Sequence, residues 1–128
     1  MARLTSSPSP AEAYRRVEMD ARIFGSDAPG LARLCLEEAA SALNRSIYAE
    51  NRGHVELGQR ALCRALDAIC ALRSGLDPEN ALNGAFTQIY DNAEHAIRGS
   101  MLRFDPGQIQ ALARDLEDIR AAFRASQP

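Results

Sequence analysis

The sequence predicts an all-α protein, an antiparallel up-down four-helix bundle with a short N-terminal helix or cap segment. Three observations point there. Ala is the commonest residue, with 23 copies among 128, and β-branched residues are scarce. That mixture favours helix and leaves little material for a sheet. Helix-starting tetrapeptides recur along the chain. Between them, apolar residues return every three or four positions, the period of an amphipathic helix.

The length suits one domain. Residues 1–9 read as a disordered N-terminus and residues 10–125 as a single helical-bundle domain. The first start signal is Ser9-Pro10-Ala11-Glu12. The Ser hydroxyl accepts from a backbone N–H two or three residues on, Glu12 reaches back, and proline suits the first helical position. It opens a short helix near 10–24 whose thin apolar stripe is Tyr14, Val17, Ala21 and Phe24. Asp27-Ala28-Pro29 is a looser version of the signal, opening a helix near 28–50 with the stripe Leu36, Ala39, Ala40, Leu43 and Ile47. Gly25, Gly53 and Gly75 punctuate the chain. A helix near 55–74 follows. Asp77-Pro78-Glu79-Asn80 predicts a helix near 79–102 with Leu82, Phe86, Ile89, Tyr90, Ala93 and Ile97 on one side. Asp105-Pro106-Gly107-Gln108 opens the last helix, near 106–125. Its seam, Ile109, Leu112, Leu116, Ile119 and Phe123, keeps a strict heptad, the period of left-handed bundle packing. Short connections make consecutive helices antiparallel neighbours.

The helix at 55–74 stands apart. At 100° per residue its polar residues Glu56, Arg60, Arg64 and Asp67 fall in an arc of about 80°. Most of the remaining circumference is apolar, more than the single stripe a bundle helix needs. Two readings stay open: the helix is the most central of the four, or part of it floors a groove for another helix. Both hold if the 10–24 helix covers that groove and can be displaced.

Composition and motifs exclude several functions. The formal net charge of -2 argues against a dedicated nucleic-acid binder, which needs a cationic surplus. All 15 basic residues are Arg, so Schiff-base chemistry and a P-loop lysine are excluded. The 3 Cys, at 35, 63 and 70, form neither a disulfide framework nor a zinc pattern, and Cys63 and Cys70 read as small core residues. No secretory h-region and no membrane-spanning stretch are visible, so the expected location is cytoplasmic. A di-iron bundle site needs Glu-x-x-His, but Asn51 precedes His54 by three and Asn92 precedes His95 by three. Asp91, Glu94 and His95 read as a solvated polar face, and no metal or other cofactor is expected. No nucleophile–base pair is present, so the sequence predicts no enzyme.

More specific residues carry a resemblance. Ala13-Tyr14 stands in the leader. Pro29, Leu31, Leu34, Leu36 and Ala39 follow in PGLARLCLEEAASAL. Arg64-Ala65, Ile69, Leu72 and Leu76-Asp77 come next, then Ile89-Tyr90-Asp91 within FTQIYDNAEHAIRGSMLRFD, and finally Leu116, Ile119, Arg120 and Phe123. In order and spacing these residues resemble the flagellar secretion chaperones, the FliS family, over residues 13–124. Leu36 replaces an aromatic usual there, Glu38 a small residue, and Phe123 the closing Trp. The resemblance implies a binder without turnover that holds flagellin before export. The partner would be flagellin's disordered C-terminal region, laid as helices into apolar grooves. The flagellar export gate is a further partner it allows. On that reading Leu62, Leu66 and Ile69 contribute from the 55–74 helix, Ile89, Tyr90 and Ile97 from the next, and Tyr14 and Val17 form the displaceable cover. The protein would be a monomer or weak homodimer. The rival reading keeps the bundle but makes it a regulatory or interaction protein for another partner, with the apolar surplus buried in a homodimer.

Overall fold

A computed structural model describes residues 27–79, 81 and 83–125. Four helices follow one another: α1 (Asp27–Asn51), α2 (Val55–Ser74), α3 (Asn83–Leu102) and α4 (Pro106–Ala125). They pack antiparallel around one interior. Leu36 and Leu43 of α1, Leu62 and Ile69 of α2, Phe86, Tyr90 and Ile97 of α3, and Ile109, Leu116 and Ile119 of α4 are all fully buried. The bundle and its stripes therefore agree with the sequence reading. The expected 10–24 helix, the Leu82 position and the Phe123 side chain lie outside what is described.

The helix ends follow their local chemistry. Gly53 takes a positive φ of 76°, which a residue with a Cβ rarely adopts, and turns the chain from α1 into α2. The Asp105 carboxylate accepts from the Gln108 backbone N–H at 3.1 Å, a true N-cap with Pro106 in the first turn. The earlier Asp-Pro signal behaves differently. Asp77 accepts from the Glu79 N–H at 3.0 Å, but α3 is helical only from Asn83, whose side-chain amide donates to the Asp77 carbonyl at 3.2 Å. The expected start at 79 is thus corrected: the Asp77 side chain closes a local turn instead of capping the long helix.

Neighbours are set by side-chain size and by ion pairs. Arg64 bridges to Glu38 at 2.6 Å, which marks the edges that α1 and α2 turn to each other. Along those edges helical spacing places Ala42 and Ala49 on α1 and Ala61 and Ala68 on α2, all buried. Small side chains let the two axes approach closely, and this is the tightest pair of the bundle. Much of the apolar surplus of α2 is alanine spent on that approach, so it needs far less cover than its hydropathy suggested. One expectation fails here: neither Cys63 nor Cys70 is core, Cys70 being half-buried and Cys63 exposed because it shares the outer edge of α2 with Arg60 and Asp67. On the other flank of α2, Arg73 bridges to Asp91 at 2.7 Å and to Glu94, while Gln59 donates to the Met101 carbonyl at 3.1 Å. These two contacts, at opposite ends, set the register of α2 against α3. Arg120 of α4 reaches Glu37 of α1 at 3.4 Å. The fourth seam, between α3 and α4, is packed only marginally.

Candidate functional site

The residues expected to meet a partner separate into three groups. Leu62, Ile69, Tyr90 and Ile97 are sealed in the interior and present no surface in the bundle as it stands. Burial pushes the Tyr90 phenol well above its ordinary range, so it stays protonated at any physiological pH. Leu66 and Ile89 are half-buried and reach the surface. They do not share a site. Leu66 lies on the edge of α2 that carries Gln59 and Arg73, at the α2–α3 seam. Ile89 lies on the opposite flank of α3 from Asp91 and Glu94, toward α4. Tyr14 and Val17 lie outside the described residues.

Apolar area reaches the surface at Leu31 and Leu34 of α1 and at Leu102 of α3, all exposed, and along two surfaces that join adjacent helices. The first is the marginal α3–α4 seam. Ile89 borders it from α3, and half-buried Leu112 from the flank of α4 turned away from α1. The chain enters α1 at Asp27, at the end of the bundle where α3 begins and α4 finishes.

The second surface is an open groove of about 390 Å³ on the outside of the α1–α2 hairpin. Its floor is Tyr48, Ala49, Leu57 and Ala61, and its rim is Arg45, His54, Arg60 and Arg64. Tyr48 is 62% and Leu57 52% exposed, high for large apolar side chains. The Arg52 guanidinium lies 4.5 Å over the Tyr48 ring, a cation–π contact that holds the ring in place. Sequence reasoning missed this groove. Its signals were present: Arg52, just past the end of α1, is four residues on from Tyr48, and Arg60 and Arg64 flank Leu57 and Ala61 on α2. A polar arc is ordinarily a solvated face, and periodicity alone gave no reason to read this one otherwise.

The ion pairs between α2 and α3 are structural. Glu94 accepts from Arg98 at 2.8 Å and from Arg73, and these bonds hold its carboxyl below the usual range. Among the described residues no group of three or more His, Cys, Asp or Glu is arranged to hold a metal ion. No described helix is long and apolar enough to cross a membrane.

A family model described as "Flagellar protein FliS" matches residues 10–128. A flagellar secretion chaperone FliS from Vibrio cholerae serotype O1 (strain ATCC 39315 / El Tor Inaba N16961) is 24% identical over 119 residues, covering 91% of this chain and 88% of that protein. No solved structure matches the chain.

Proposed function

The chain belongs to the FliS family of flagellar secretion chaperones, which act by binding and not by catalysis, and from that premise we propose that it is a cytoplasmic export chaperone for flagellin. It takes the disordered C-terminal region of flagellin into apolar grooves as amphipathic helices. That blocks premature polymerisation and keeps the client ready for the flagellar type III export apparatus. The match over residues 10–128 carries this reading.

Physical features support a helix-in-groove mechanism. A bundle closed on three sides and loose on the fourth can admit a guest helix without breaking its tight pairs. The α3–α4 seam is the loose side, so the client lies there, against Ile89 and Leu112. The buried Leu62, Ile69, Tyr90 and Ile97 form the floor that shapes the seam from beneath, and Leu66 stands at its neighbour. The leader joins α1 at the end of the bundle where α3 begins and α4 finishes, so Tyr14 and Val17 can cover the seam from that end and yield to the client. Ordering the disordered client offsets much of the apolar gain, which leaves a complex able to release.

The test combines light scattering with calorimetric titration of a flagellin C-terminal peptide. A monomer forming a one-to-one complex is the expected result. Ile89→Asp weakens binding roughly tenfold or more, the loss typical of a residue central to an interface, while circular dichroism shows unchanged helicity. Full affinity in the folded variant removes Ile89 from the site. A concentration-independent dimer indifferent to flagellin overturns the reading in favour of a regulatory bundle with another partner.

A further inference from the structure

The groove on the α1–α2 hairpin is not needed by the α3–α4 seam, and its chemistry is distinctive. Its floor is apolar and exposed, and its rim is cationic on both sides: Arg45 from α1, Arg60 and Arg64 from α2. Glu38 is the carboxylate that bridges two of them, at 3.7 Å from Arg45 and 2.6 Å from Arg64. Arg60 has no ion-pair partner among the described residues, although Glu56 stands one turn away on α2. Arg52 adds a fourth guanidinium over Tyr48. This cationic concentration arises on a chain whose net charge is -2, so it is local placement and not bulk composition.

We infer that this groove is a second docking surface, which takes an acidic amphipathic helix from a partner protein. Apolar side chains one turn apart would cover Tyr48 and Leu57, and flanking carboxylates would meet Arg60, Arg64 and Arg45. Charge weighs against the nearer occupants. The leader, residues 1–26, carries Arg3, Arg15, Arg16 and Arg22 against Glu12, Glu18 and Asp20, a net positive segment. A second copy of the chain related by a two-fold axis would set this cationic rim against itself. The inference stands whether or not flagellin is the client of the α3–α4 seam.

The test uses the full chain and a fluorescein-labelled helical peptide of about four turns, with Leu on one face and Glu on both flanks. A twin peptide carries Lys in place of Glu, and a short single-stranded oligonucleotide is the third probe. Anisotropy titrations should show saturable binding of the acidic peptide alone, weakened by salt. Arg60→Glu should cost about tenfold and Leu57→Ser about fivefold, as for central contacts of an interface. Both side chains are exposed, so unchanged circular dichroism is expected and checked. Equal binding of both peptides, or full affinity in both folded variants, overturns the inference. So does oligonucleotide binding as tight as the peptide's and equally sensitive to Arg60→Glu. A chain lacking residues 1–25 that binds the acidic peptide much more tightly would make the leader the occupant. A homodimer dissolved by Arg60→Glu would make it a second copy. Flagellin peptide is titrated in parallel: its failure beside a binding acidic probe sinks only the earlier reading, and the converse sinks only this one.

Discussion

The two hairpins of this bundle have connections of similar length, residues 52–54 and 103–105, and opposite packing. α1 and α2 close on each other along an alanine seam, Ala42 and Ala49 against Ala61 and Ala68, clamped by Arg64 and Glu38. α3 and α4 are packed only marginally, and each leans on the other hairpin: α3 on α2 through Arg73 and Gln59, α4 on α1 through Arg120. A short loop forces helices to run antiparallel, but it does not force them to touch along their length. Side-chain volume and cross-helix pairs decide that. The bundle therefore joins a closely packed hairpin to a loosely packed one.

The sharpest way to break this comparison is to remove bulk from the looser half. Ile97 of α3 is fully buried in the shared interior. Its truncation, Ile97→Ala, should cost about 2–5 kcal/mol of stability, from lost transfer energy and a residual cavity. Urea unfolding followed by circular dichroism measures it. A cost well below this range would mean that Ile97 faces a space that solvent or a guest already enters, and would return it from the core to the client site.

Adding bulk to the closely packed half should matter somewhat less. Ala42 is fully buried on the seam between α1 and α2. Ala42→Leu should destabilise by about 1–3 kcal/mol, since two close helices must separate to admit the new atoms. An unchanged urea midpoint would show that the seam is looser than its alanines suggest.

The sequence disclosed the bundle well and its surfaces poorly. The Asp105-Pro106 cap, the glycine turn at 53 and the heptad seam of α4 are local signals, each fixed by chemistry within a few residues. The start of α3 was not legible. Asp77 can close a local turn as readily as it caps a helix, and tertiary packing chose the turn. The apolar girth of α2 misled because hydropathy counts alanine as apolar and ignores its size. Periodicity also could not separate Leu62 and Ile69, which are core, from Leu66, one turn away at the surface. The Arg-rimmed groove was missed for a different reason: its signals lie on two helices, Tyr48 and Leu57 come together only when α1 and α2 pair, and no single helix wheel contains both.

The smallest expected effect concerns how the two halves are joined. Arg73 of α2 holds Asp91 and Glu94 of α3, and Glu94 also accepts from Arg98. These bonds hold the Glu94 carboxyl below the usual carboxylate range, Arg98 contributing most and Arg73 next. A carboxyl whose pKa is lower folded than unfolded stabilises the fold only while ionised. Its contribution is therefore complete above the unfolded value, about 4.3 for Glu, and disappears as pH falls through the lower folded value. Glu94→Gln should unfold at a slightly lower urea concentration than the parent chain at pH 7. The gap should narrow with added salt, because the pair is near the surface, and close as the pH is lowered past the folded pKa of Glu94. A gap that persisted undiminished in acid would mean that the amide disturbs packing between α2 and α3, and the clamp would then be steric and not electrostatic.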